Sequence, residues 1–132
     1  MRYILLVHHS EQAFASLSET ERNSLRQESV ALTHQINARG QYLDASPLQP
    51  SDATTCVRVR EGKRLVIDGP FAETREQLGG YFLIDAENLD QAIEIAGRIP
   101  GARIGTVEIR PLLELAGLPT REEIESARTA RR

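Results

Sequence analysis

The chain has 132 residues, with sixteen basic and nineteen acidic side chains, a formal net charge of -3 and a single cysteine. That length suits one domain able to bury roughly two thirds of its unfolded surface, so a core needs neither a metal nor disulfide staples. The slightly acidic balance gives no electrostatic reason to expect nucleic acid or an anionic membrane as partner, and one cysteine excludes a disulfide framework, a cysteine zinc site and a paired redox motif.

The first element, residues 2–9 (RYILLVHH), is apolar on both alternating sets, Tyr3/Leu5/Val7 and Ile4/Leu6, as a strand covered on both faces would be. It should be a central strand. The apolar run ahead of His8 and His9 is too short for a signal peptide, and no later run approaches membrane-spanning length, so a soluble cytoplasmic protein is expected. Ser18-Glu19-Thr20-Glu21 has the form of a capping box and Gly40 supplies a left-handed stop, which predicts a helix from about 19 to 39. Its apolar stripe, Leu25, Leu32 and Ile36 with Ala31, is thin. QYLDAS is a short strand, and Pro47 and Pro50 make the residues after it a connection.

Residues 54–60 and 64–68 flank Glu61-Gly62 and predict a hairpin, and a two-residue loop would set Val57 against Val66 and Thr55 against Asp68. Cys56, within the first of these strands, reads as a small buried hydrophobe. After the shaped loop that starts at Asp68-Gly69-Pro70-Phe71, residues 79–85 form another strand. Asn88 caps a helix whose Leu89, Ala92, Ile93, Ala96 and Ile99 fall at helical spacing, and GTVEIR (105–110) is the last strand. Residues 113–132 form a helical tail with Thr120 as its cap.

The order strand, helix, strand, inserted hairpin, strand, helix, strand predicts a ferredoxin-like α+β domain over residues 1–112, with two helices on one face of an antiparallel sheet. A first strand apolar on both sides then needs cover for the second face. A homodimer would supply it.

DGPFAET at 68–74, followed by EQLGG at 76–80, resembles the signature of YCII-related proteins of the DGPF type. The likeness extends to RYILLV, Leu48-Gln49-Pro50, the hairpin and GTVEIRP, about residues 1–112. The resemblance implies a dimeric ferredoxin-like fold with a pocket, relatives that act on small aromatic compounds through a histidine and an aspartate, and an extracytoplasmic-function sigma factor as a candidate partner. In the better characterised YCII branch a histidine stands early in the first helix. Counting back from Gly40 places that position near Ser29, over a turn before this chain's His34, so the catalytic pair does not carry over residue by residue.

Adjacent histidines at a strand end point to opposite faces, so at most one of His8 and His9 serves a given pocket. His9, nearer the opening end, is the candidate general base. Asp68 either closes its own turn or presents a carboxylate beside a cleft, with Glu73 as a second acid, Phe71 as an apolar wall and Arg110 as a substrate-binding cation. Arg110 has a simpler reading as the ion-pair partner of Glu108. Arg58, Arg60, Lys63 and Arg64 read as a solvated edge. The chain has no GxGxxG, P-loop, GxSxG or HExxH motif, so no cofactor and no metal are expected. Two functions follow: acid–base catalysis without a cofactor on a small, aromatic molecule at a pocket near the DGPF loop, or a non-catalytic module that binds a small ligand or a protein such as the sigma factor.

Overall fold

The computed structural model describes residues 1–131. Strand β1 (Arg2–His9) lies inside a four-stranded antiparallel sheet, between β5 (Gln77–Asp85) and β6 (Gly105–Pro111), with β2 (Tyr42–Pro47) outside β5. Helices α2 (Glu19–Ala38) and α3 (Leu89–Arg98) cover one face. This mixed α+β architecture is consistent with the predicted ferredoxin-like fold. Two short helices that the spacing did not predict, α1 (Glu11–Ala15) and α4 (Gly101–Ile104), fill the turns after β1 and α3.

The helix starts follow from local chemistry. Ser18 Oγ accepts from the Glu21 amide at 3.1 Å while the Glu21 carboxylate accepts from the Ser18 amide at 3.3 Å, and Asn88 Oδ1 accepts from the Gln91 amide at 3.0 Å. The core joins Tyr3, Leu5, Val7, Phe82 and Ile84 of the sheet to Leu32 and Ile36 of α2 and to Ala92, Ile95 and Ala96 of α3. Helix α3 is therefore turned from its expected orientation. It carries two overlapping apolar stripes, and packing selects the one containing Ile95 while Leu89 and Ile93 stay exposed.

The opposite sheet face bears Ile4, Leu6 and Leu83, all half-buried, together with Thr106, Glu108 and Arg110, which pair with His8, Leu6 and Ile4. Among the described residues no element forms a core there.

β3 (Thr55–Arg60) and β4 (Lys63–Asp68) form a separate two-stranded ribbon in the predicted register, Val57 opposite Val66 and Thr55 opposite Asp68. Its turn puts Glu61 at φ 53 and Gly62 at φ 74, the two left-handed residues of a type I′ hairpin. The ribbon is exposed on both faces, Val57, Val59 and Val66 included, and is tied at its base by the Gly69 amide donating to Thr54 O at 2.7 Å. Cys56 is half-buried rather than buried, with Sγ 3.3 Å from the Gly69 carbonyl.

Beyond β6, the Leu112 amide donates to Arg2 O at 2.9 Å, after which the tail leaves the sheet. Helix α5 (Arg121–Arg131), capped by Thr120 as predicted, is exposed throughout, as are Leu113, Leu115 and Leu118. Among the described residues no helix is long and apolar enough to cross a membrane.

Candidate functional site

The end of β1 is where the sheet departs from regularity. Val7 pairs with Gly80 but His8 pairs with Leu78, so Gly79 is an extra residue on β5, a bulge of the kind that re-aims side chains. His9 turns to the helix-covered side and lies directly against Gly79. A Cβ at Gly79 would stand 2.4 Å from His9 Nε2, so this glycine makes the room the imidazole occupies.

His9 lines a cleft of about 460 Å³ between the end of the sheet and the middle turns of α2. Phe14 of α1 faces it, with ring centroids 5.1 Å apart and planes tilted by 41°. The Arg26 guanidinium stands over Phe14 at 5.5 Å, close enough for a cation–π contact. α1 is held in place by Ser10 Oγ accepting from the Ala13 amide at 3.2 Å and by Arg22, which donates to Ala15 O at 3.2 Å and also to Leu17 O. Leu25, Ser29 and Thr33 complete the helix wall. The thin stripe of α2 now has a cause: Leu32 and Ile36 serve the core, while the earlier turns line a cleft. His9 Nδ1 faces the Ser10 carbonyl at 3.4 Å, and no carboxylate bonds to this imidazole among the described residues. The cleft thus combines an imidazole, a guanidinium and hydroxyls with apolar walls, a set suited to a planar molecule bearing an acidic group.

The other predicted site residues lie elsewhere. Asp68 is exposed at the end of the ribbon, Glu73 is exposed in the following loop, and Arg110 is exposed on the open sheet face. None of Asp68, Glu73, Phe71 or Arg110 lines the His9 cleft, so one chain does not bring this constellation together. The reason is topological: Asp68 ends a ribbon detached from the main sheet, while strand alternation sends His9 to the helix side. Phe71 lines a different cavity with His8, beside the DGPF loop. The predicted Glu108–Arg110 pair is replaced by a bond between His8 Nε2 and Glu108 Oε1 at 3.1 Å, because β6 pairing sets Glu108 diagonal to His8 on one face. His34 is exposed, as are Arg58, Arg60, Lys63 and Arg64. No cluster of three metal-ligating side chains occurs among the described residues. Phe14, Arg26 and Ser29 were missed; the signal for them was the interrupted stripe of α2.

Three comparisons bear on this geometry. A family model described as YCII-related domain matches residues 1–116. An uncharacterised protein of Rhizobium meliloti (strain 1021) is 33% identical over 114 residues, 85% of this chain and 92% of its own length. The structure of 5-chloro-2-hydroxyhydroquinone dehydrochlorinase from Burkholderia phenoliruptrix, in complex with 2,5-dihydroxybenzoquinone, superposes with a TM-score of 0.53 at 9% identity, covering 87% of this chain and 96% of that one.

Proposed function

The chain belongs to the YCII-related family, and on that premise we propose that it is an enzyme acting on a small aromatic molecule by acid–base chemistry in the cleft beside His9. The observation that carries this is the placement of His9: an imidazole seated over Gly79, facing Phe14, in a cleft that the Arg26 side chain also lines. A ring stacked near Phe14 would set an anionic substituent toward Arg26. Neutral His9 would then take a proton from a ring hydroxyl or an acidic ring carbon and return it as imidazolium. The fold shared with a dehydrochlorinase of a chlorinated hydroxyhydroquinone supports the aromatic class.

A non-catalytic binding module is the second reading, favoured on two grounds: among the described residues no carboxylate orients His9, and counting back from Gly40 puts the helical histidine of the better characterised branch near Ser29, over a turn before His34.

One experiment separates them. 2,5-Dihydroxybenzoquinone and a panel of hydroxylated, chlorinated benzenes are titrated into the wild type and His9→Gln, following amide shifts of Phe14, Ser29 and Gly79 and substrate disappearance. The enzyme reading expects His9→Gln to lose roughly 100-fold or more in turnover while binding changes little. Binding without turnover in the wild type leaves the binding module, and no shifts at the cleft sink both.

A further inference from the structure

The second cavity, also about 460 Å³, lies at the end of β1 where His8 emerges, between the residue 48–54 connection and the DGPF loop. Its walls are locked together. The Glu11 carboxylate accepts from the Ser51 amide at 2.7 Å and from Ser51 Oγ at 2.8 Å, while the Gln77 side chain accepts from the Glu11 amide at 2.9 Å and donates to Thr74 O. The helix start, the connection and the loop after Phe71 therefore form one hydrogen-bonded frame around an apolar space.

We propose that this cavity is a second small-molecule site, taking a planar ring that carries a hydroxyl or N–H donor, with His8 as its acceptor. Three features converge on that class. Pro50, Pro70 and Phe71 offer flat apolar faces, and Leu48, Phe71 and Leu78 stay exposed around the cavity, Phe71 at 80%. Glu108, ionised, is acceptor-only, so whenever His8 is uncharged its Nε2 carries the proton that bonds to Glu108 and Nδ1 is left with a lone pair. Among the described residues neither lysine nor arginine lines the cavity, whereas Glu76 does and Glu108 bonds to its His8, so an anion is disfavoured. The His9 cleft, with Arg26, has the opposite preference. This site is independent of the proposed catalytic cleft, from which it differs in histidine, charge and face of the strand.

The test compares phenol, anisole and benzoate on the full-length chain by amide and histidine side-chain nuclear magnetic resonance. Phenol should shift Leu48, Phe71, Leu78 and the His8 imidazole, and bind about five-fold more tightly than anisole, which lacks the donor. Benzoate should bind more weakly than phenol at these residues. His8→Phe should erase the preference for phenol over anisole; should that variant not fold, the wild-type ranking decides alone. Equal binding of phenol and anisole, or phenol shifts confined to Phe14 and Ser29, overturns the proposal while leaving the His9 cleft untouched.

Discussion

The two faces of β1 are made of similar residues and end differently. Tyr3, Leu5 and Val7 are 3%, 0% and 8% exposed beneath the helices, whereas Ile4 and Leu6 are only half-buried on a face that carries two polar pairs, Tyr81 with Asp44 and His8 with Glu108. The helix side is a finished core. The open side has the apolar content of a covered surface without the cover, and four of its polar side chains already bond to one another in pairs. A second copy of the chain, meeting this face with its own, is the occupant we propose, and the experiments that follow break or sharpen the contrast.

The largest effect should come from Leu5→Ala, which empties a fully enclosed site and should lower unfolding free energy by about 2–5 kcal/mol in urea titrations. Leu6→Ala should cost less, about 1–2 kcal/mol if the face is bare, since part of its area stays in water. If a second copy covers the face, the cost of Leu6→Ala should instead depend on protein concentration, light scattering should give a dimer at micromolar concentration, and the interface should exceed roughly 1,000 Å². A monomer under those conditions would falsify the dimer.

Gly79→Ala comes next. The added methyl meets His9 Nε2 at 2.4 Å, so the ring must leave its place, and ligand affinity at the His9 cleft should fall about tenfold with some loss of stability. Gly97→Ala is the control on the helix layer: it meets nothing within 4 Å inside α3 and should stabilise by about 0.5–1 kcal/mol. Thermal melts of both variants check the opposite signs.

Removing residues 113–132 should leave the circular dichroism of the sheet domain intact, because α5 is exposed throughout. If the leucines at 113, 115 and 118 bind the partner, the deletion should raise the dimer dissociation constant; unchanged mass at every concentration would dismiss that role.

The smallest effect concerns Tyr81, whose hydroxyl donates to Asp44 Oδ2 at 2.7 Å. That bond, with desolvation and the Asp44 charge, raises its pKa above the usual 10.0. A pKa raised by folding means that the stabilisation is fully present below the unfolded value and is lost as pH climbs through the folded one. Tyrosinate absorbance should therefore show the Tyr81 phenol titrating above 10.0, and Asp44→Asn should bring it back toward that value.

Much of this architecture was legible in the chain because it is written in local rules. Ser18 with Glu21, Asn88 before α3, and Glu61-Gly62 each specify a backbone event within four residues, and the structure realises all three. What was not legible depends on register between distant strands. The bond from His8 to Glu108 joins residues 100 apart, and nothing local distinguishes Glu108 facing His8 from Glu108 facing Arg110. The cleft was hidden for a related reason: Leu25 looks like the start of a weak core stripe until α1, too short to announce itself by periodicity, brings Phe14 to the same cleft. Asp68 and Glu73 drew notice through an unusual turn, whose shape was legible although its distance from His9 was not.

The contact between Gly79 and His9 also constrains how the sequence can change. With an imidazole at 9, any side chain at 79 is obstructed, but once position 9 carries alanine the obstruction is gone. Substitutions at the two positions should therefore be strongly non-additive, with Gly79→Ala harmful in the wild type and nearly neutral beside His9→Ala, a coupling that a double-mutant cycle measures directly. Sequences that diverge from this chain are then expected to exchange the two residues together, so that a bulky residue at 79 is accompanied by a small one at 9.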